Sequence, residues 1–368
     1  LAMKILVSAF SNLYTDQRIE KVCRTLHENG YPVELIGNDW GGAGKMERPY
    51  PYFRIRHKAG SLRMAYAEFQ WKLYRELMKR ADSGTVLLAN DLDALLPNVL
   101  VARKLKIPLV FDSHEIFTEM PAIQGRWTQK IWRLLEQKLV PGMRYMMTES
   151  YSYAGWFKEK YQVDCVVIRN IPRIITTPVE IPENKTKIVL YQGVINQSRG
   201  IAQAIKAMKQ VDGAVLKIAG DGPKRQEYET LAIEEGMADR VIFTGKLHPE
   251  DLRKLTCTAD VGLSIEENGG VSYLYSLPNK VSDYIQSRVP LVMINFPEMM
   301  KVYQDFKVGE IAESHDPAHL AQKINTVLQH GRHFYLPELE KAAAVLNWEH
   351  EEPKILALFE KVRKENFR

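Results

Sequence analysis

Along the chain, short apolar runs alternate with stretches whose apolar residues recur at the spacing of one helix face. In the first half the runs fall at Lys4–Ala9, Pro32–Gly37, Thr85–Ala89, Pro108–Asp112, Arg144–Thr148 and Cys165–Ile168. Helical patterns lie between several of them, such as Ile19, Val22, Cys23 and Leu26, which stop at Asn29-Gly30. The second half repeats the logic at Ile188–Gln192, Val215–Ala219, Val241–Thr244, Val261–Ile265 and Leu291–Ile294, each followed by a helical pattern. Between the halves, Asn170–Lys185 carries Pro172, Pro178 and Pro182 and breaks the alternation. Near the end, Ile355, Leu358, Phe359 and Val362 form one apolar stripe on a charged helix.

Strand–helix alternation on both sides of a linker predicts an α/β chain of two Rossmann-like, doubly wound parallel sheets facing a cleft. The expected boundaries are a first domain over 1–170, a linker over 171–185 and a second domain over 186–350. The last helix, at about 351–368, is expected to pack back on the first domain. Ligands in such folds sit beyond the carboxyl ends of the strands, so the loops there carry the candidate chemistry.

Size and charge narrow this picture. A chain of 368 residues can bury two cores. No apolar run reaches the roughly 18 residues that span a bilayer. The start, Met3 to Val7 after two extra residues, reads as a buried strand and not as a signal sequence. Cys23, Cys165 and Cys257 are far apart among apolar neighbours, which suggests core thiols in a reducing, cytoplasmic compartment. Residues 1–170 hold 25 Lys+Arg against 18 Asp+Glu, while the remainder holds 25 against 27. The basic half points to an anionic partner; no nucleic-acid module accompanies the charge, so nucleic acid is disfavoured.

Three loops in the second half suit an anion. Tyr191 to Gly200 follows a strand and opens a helix: Gly193 permits close approach, Gly200 exposes amides, and Arg199 adds a guanidinium. The same residues also fit a plain strand-to-helix turn with a surface arginine. Ala219-Gly220-Asp221-Gly222-Pro223 is a second such turn, but it lacks the third glycine of a dinucleotide fingerprint, as does the first strand. A nicotinamide site is therefore disfavoured. The third loop, Glu266 to Gly270, precedes Pro278, which can start a helix with Lys280 in its first turn. A lysine there is unfavourable to the helix dipole unless an anion is present. Asp283, one turn on, can reach a hydroxyl attached to that anion; a solvated helix start is the alternative.

Together these loops resemble the retaining family-four glycosyltransferases of GT-B fold, over nearly the whole chain. The resemblance rests on Gly193 to Gly200, the Ala219–Pro223 loop, Phe243-Thr244-Gly245-Lys246-Leu247 and the Pro278–Tyr284 run ending at Val289-Pro290. Asn347-Trp348-Glu349, Asp16, Arg18 and Asp112-Ser113-His114-Glu115 add to it. The departures are specific. Val194 stands where the family often has arginine, Arg199 where it has lysine, and Tyr275 lies eight residues before Asp283 in place of an acid, for which Glu267 is a loose substitute.

The resemblance implies a nucleoside diphosphate-sugar as co-substrate and neither a cofactor nor a metal. It implies Arg199 and Lys280 on the leaving diphosphate and His114 on the transferred sugar. Gly193, Gly200, Gly220, Glu267, Gly269, Gly270 and Asn279 would line the donor, with Lys246-Leu247 at the base and Asp283 at the ribose. The first domain would take a saccharide or lipid-linked acceptor, with Asn12, Asp16 and Glu115 on that side or ordering its loops. Two rivals remain: a nucleotide-sugar 2-epimerase using Glu115 and Glu119, and a catalytically silent sugar-nucleotide-binding protein. Finally, the stripes Leu62, Tyr66, Phe69, Leu73, Leu77 and Trp127, Ile131, Leu134 lie beside Lys72, Arg75, Lys79 and Lys130, Arg133. They fit either core packing or peripheral contact with an anionic membrane at its inner face.

Overall fold

The computed structural model of the protein describes residues 3–14, 16–39, 46–57, 62–121 and 123–367. The chain divides into two compact units, Leu1–Asn170 with Glu351–Arg368, and Ile171–His350. The first contains β1 (Lys4–Asn12), α1 (Gln17–Glu28), β2 (Val33–Asp39), β3 (Tyr52–Arg56), α2 (Leu62–Arg80), β4 (Thr85–Asn90) and α3 (Leu92–Leu105). It continues with β5 (Leu109–Ser113), α4 (Trp127–Leu139), β6 (Tyr145–Thr148), α5 (Tyr151–Tyr161) and β7 (Val166–Val167). All strands are parallel, in the order β3-β2-β1-β4-β5-β6-β7. Every residue of β4 is buried, as expected of a central parallel strand covered on both faces.

The second unit holds β8 (Lys187–Gln192), α6 (Ile201–Ala207), β9 (Ala214–Ala219), α7 (Arg225–Glu234), β10 (Val241–Gly245), α8 (Pro249–Thr258) and β11 (Val261–Ser264). Then follow α9 (Val271–Tyr275), α10 (Asn279–Gln286), β12 (Leu291–Ile294), α11 (Pro297–Asp305), β13 (Gly309–Ala312), α12 (Pro317–His330) and α13 (Arg332–Val345). Its sheet, also parallel, runs β10-β9-β8-β11-β12-β13. Both orders reverse between the first strand of the unit and a later one, at β1/β4 and at β8/β11. Such reversals open a crevice at the carboxyl ends of the strands.

Two strands have no counterpart in the sequence pattern. β3 is an edge strand with Phe53 and Arg56 exposed, so its run reads polar. β13 opens on Gly309, where a Cβ would lie 1.9 Å from the Leu291 carbonyl oxygen, so the close approach of β12 requires glycine. The proline-rich stretch 171–185 has neither helix nor strand, but it is anchored within the second unit. Ile171 is buried in that core, the Trp348 N–H donates to the Pro172 carbonyl at 2.9 Å, and Asn184 donates to Thr258 and Asp260. The final helix, α14 (Trp348–Asn366), buries Ile355, Phe359 and Val362. Within the first unit it is tied by Thr25 to Glu352 at 3.0 Å and by Tyr145 to Glu365 at 2.6 Å.

Candidate active site

In the second unit the chain leaves β8 through Gly193 at φ 138° and enters α6 through Gly200 at φ 72°. Packing as well as conformation demands glycine at the second position: a Cβ on Gly200 would fall 2.1 Å from the Ile265 carbonyl oxygen. The turn after β9 is pressed against the first, since a Cβ on Gly220 would meet the Gly193 carbonyl oxygen at 1.8 Å. Gly220 also donates to the Gly245 carbonyl at 3.0 Å, so three successive strand ends are locked side by side. Beyond β10, Lys246 is exposed and Leu247 packs on the core.

Two cations meet at this place. Lys280, in the first turn of α10, is buried with its Nζ 2.7 Å from Glu266 Oε1 and 4.0 Å from the centre of the Tyr191 ring. Its side-chain end also lies 3.7 Å from where a Cβ of Gly193 would stand. Burial acts to lower the Lys280 pKa, but Glu266 outweighs it and holds the ammonium above its ordinary value. Burial likewise acts to raise Glu266, and Lys280 reverses the sign, so both groups are charged. The contact is close yet poorly aligned: neither Lys280 Nζ nor Glu266 Oε1 has a well-directed hydrogen-bond partner. Arg199 lies near enough to oppose the charge on Lys280. Its Nη2 donates to the Tyr273 hydroxyl at 3.1 Å, its Nε is buried without a partner, and no carboxylate pairs with it among the described residues. Of these two neighbouring cations, only Lys280 has a carboxylate partner among the described residues.

The loop after β11 closes on the same turn. The Glu267 N–H donates to Ser198, and a Cβ on Gly269 would crowd Tyr273 and Ser198 at 3.2 and 3.3 Å. Gly270, at φ 141°, opens α9, and Asn279 stands exposed at the start of α10. Asp283 accepts from Gln192 Nε2 at 3.1 Å, while Gln192 Oε1 accepts from Thr256 at 2.7 Å. Gly200 caps α6, a helix of seven residues, so the free amides there belong to a short helix beside the two cations. Glu266, Tyr191, Tyr273, Gln192 and His315, whose Nε2 lies 3.0 Å from the Glu266 carbonyl oxygen, have no sequence signal that singles them out.

In the first unit a second buried network occupies the carboxyl ends of β4, β5 and β6. Arg18 is fully enclosed and forks onto Asp112, at 3.0 and 2.7 Å, while its third nitrogen donates to the Ile168 carbonyl at 2.5 Å. His114 sits between two carboxylates, with Nδ1 3.3 Å from Asp91 and Nε2 3.3 Å from Asp112, and its backbone N–H donates to Asp91. Burial alone would lower its pKa, but Asp91 and Asp112 carry it up to about 10, which favours the imidazolium form. Burial would raise Asp112, yet Arg18 and His114 hold it at about 2.

Asp16 caps α1 by accepting from the Ile19 N–H at 3.0 Å, which makes it a loop-ordering residue. Glu115 is partly buried just beyond β5, and the side chain of Asn12 lies outside the described residues. Glu119 is held by Arg133 at 3.1 Å, a poor setting for the proton abstraction an epimerase needs. Among the described residues no three His, Cys, Asp or Glu side chains are grouped to hold a metal ion. The two amphipathic stripes part company. Phe69, Leu73 and Leu77 are core, and Leu62 has a side chain outside the described set, whereas Trp127, Ile131 and Leu134 are 58, 47 and 52% exposed. No helix among the described residues is long and apolar enough to cross a membrane.

Comparison with known proteins bears on this geometry directly. Residues 175–343, which contain every donor-side residue named above, match the family model described as glycosyl transferases group 1. A lipopolysaccharide core biosynthesis glycosyltransferase of Rhizobium meliloti is 41% identical over 58 residues, 16% of this chain and 17% of that protein. Matched stretches in the curated relatives reach 37% of their length at most among those compared. Solved structures match throughout: sucrose-phosphate synthase of Thermosynechococcus elongatus has a TM-score of 0.79 at 15% identity, covering 99% of this chain and 100% of that one. Anabaena HepE, solved with UDP and glucose, has a TM-score of 0.75 at 14% identity, covering 98 and 100%. Two parallel-sheet α/β units of GT-B type are thereby established as the fold. Within the matched residues 175–343, the 193–200 turn and α10 supply both cations.

Proposed function

We propose that the protein is a retaining glycosyltransferase that moves a sugar from a nucleoside diphosphate-sugar to a saccharide or lipid-linked acceptor. The observation that carries this reading is the pair Arg199 and Lys280, set against the Gly193 and Gly200 turns, with Glu266 pairing Lys280 and no carboxylate pairing Arg199 among the described residues. An incoming diphosphate supplies the missing negative charge. As the glycosidic bond to the donor breaks, charge grows on the leaving phosphate, and two preorganised cations stabilise it. These cations occupy the role a divalent ion plays elsewhere, so activity should survive EDTA; restoration by magnesium or manganese after a loss would count against the scheme.

Asp283, oriented by Gln192, holds the ribose hydroxyls, and the backbone at Lys246 and Leu247 meets the base. Glu267, Gly269, Gly270 and Asn279 line the sugar and phosphates, and His114 contacts the transferred sugar. The Rhizobium meliloti relative supports a surface-polysaccharide role, and the Anabaena complex supports a UDP-sugar donor. α4, with Trp127, Ile131 and Leu134 exposed beside Lys130, rests on anionic lipid and brings the enzyme to a lipid-linked acceptor. Flotation with liposomes that does not depend on anionic lipid would remove that element.

Incubation with UDP-, GDP- and ADP-sugars tests the whole reading. Release of nucleoside diphosphate with retained anomeric configuration, read by NMR of the product, is expected. An isomerised donor would instead indicate an epimerase, and binding without turnover a silent binding protein.

A further inference from the structure

Arg199 has no carboxylate partner among the described residues, yet it is held at both ends. It stands between Ser198 at φ 60° and Gly200 at φ 72°, so the backbone on either side is bent into the left-handed region. The Ser198 carbonyl also accepts from the Glu267 N–H at 3.1 Å, which fixes where the arginine side chain begins. Its far end is fixed by one residue. The Tyr273 hydroxyl accepts from Arg199 Nη2 at 3.1 Å, and the guanidinium carbon lies 4.6 Å from the centre of the same ring. Between these anchors Arg199 Nε is buried without a hydrogen-bond partner among the described residues. Tyr273 is fixed in turn on α9. Its carbonyl accepts from the Ser276 hydroxyl at 3.0 Å, and a Cβ on Gly269 would press on its ring at 3.2 Å.

We propose that Tyr273 is a positioning residue for the donor: its ring and hydroxyl hold Arg199 beside Lys280 as an ordered, uncancelled cation for the diphosphate. The proposal rests on the reading of Arg199 and Lys280 as the diphosphate's cations, and it names the group through which Arg199 becomes effective. The two cations oppose one another, so the guanidinium needs a holder to stay near the ammonium. The kind of holder matters. Lys280 lies 4.0 Å from the Tyr191 ring centre and also meets Glu266, and a carboxylate that fixes a cation cancels much of its charge. A phenol carries no charge at neutral pH. Its ring attracts the guanidinium through the quadrupole and its oxygen takes one N–H, so the side chain is placed while its charge remains. An arginine already in place escapes the ordering cost that a free one meets when the ligand binds. The planar guanidinium suits this seat because it can stack and donate together, which an ammonium cannot.

Calorimetry on the full chain reads this coupling without turnover. The probes are UDP, GDP and ADP, with inorganic pyrophosphate as the diphosphate that carries no base. Tyr273→Phe keeps the ring and loses the acceptor oxygen, and binding about threefold weaker is expected. Tyr273→Leu loses both, and about tenfold is expected. In an Arg199→Ala background the same Tyr273→Leu change should weaken binding by less than about twofold, because its route to the phosphates is gone. A side chain kept for packing alone would act equally in both backgrounds. Thermal unfolding checks that each variant folds; if Tyr273→Leu does not, the cycle is run with Tyr273→Phe. Tyr273 variants that bind like the parent, or that weaken both backgrounds alike, would overturn the proposal and leave the donor reading standing. An Arg199→Ala variant that binds every probe as the parent does, or a parent that binds none, would overturn the donor reading and this proposal with it.

Discussion

At the carboxyl ends of β8 and β11 the buried charge is an ammonium touching one carboxylate, whereas at the ends of β4 and β5 an imidazolium is held between two. The windings are alike, since each sheet reverses its strand order at that point. What differs is the balance. The second unit leaves cationic capacity over, because Arg199 has no carboxylate among the described residues and Lys280 meets its own poorly aligned. In the first unit Arg18 and His114 are both engaged with Asp112, and His114 with Asp91 as well. The same topology therefore frames two crevices whose buried charges are balanced differently.

The largest expected effect comes from breaking the second unit's balance. Lys280→Ala strands Glu266 in a buried site, and loss of one partner from such a pair costs about 3–5 kcal/mol. Denaturant unfolding should show it. The double change Lys280→Met with Glu266→Gln should restore most of the stability and leave affinity for UDP low; a double variant that binds UDP like the parent would refute the role given to Lys280. Next in size, Arg199→Ala should lower kcat by about 100-fold or more, as loss of a transition-state donor does. Its stability should stay within about 0.5 kcal/mol, since no carboxylate depends on it. Unchanged affinity for nucleoside diphosphate would sink the assignment.

The smaller effect lies in the first unit and depends on pH. His114 has a folded pKa of about 10 against an ordinary 6.5. The stability it supplies is therefore complete below about pH 6.5 and is lost as pH rises through about 10. His114→Asn should cost about 1.5–3 kcal/mol, the range for hydrogen bonds to charged groups, and should flatten the stability profile across that interval. A profile equally steep in the variant would show that the imidazolium is not its source.

Much of this contrast was legible in the chain before folding, and the reason is locality. Gly193, Arg199 and Gly200 are near neighbours in sequence, as are Pro278, Lys280 and Asp283, so their chemistry shows within one short window. The pairing of Lys280 with Glu266 does not, because a connection of variable course separates them. Still less visible is the His114 network, assembled from α1, the β4–α3 turn and the loop after β5. The amphipathic stripes on α2 and α4 illustrate the limit most clearly. Both have apolar residues at helical spacing beside basic ones, yet Phe69 is buried and Ile131 is 47% exposed. Periodicity identifies a face; only the packing partners decide whether it is covered. For the same reason the edge strand β3, with Arg54 and Arg56 in a run of five, carried no strand signal.

α14 has a consequence for the order in which the protein is made. The ribosome releases the first unit's strands before any of the second, but Thr25 and Tyr145 wait for Glu352 and Glu365, which follow the whole of the second unit. The second unit is continuous in sequence and can be complete while the first still lacks its last helix. The domain synthesised first is thus the one finished last, and during that interval the surface that Ile355, Phe359 and Val362 will cover stays open to solvent and to chaperones. Chains ending before Glu351 should accordingly show protease sensitivity concentrated in residues 1–170, with 171–350 protected.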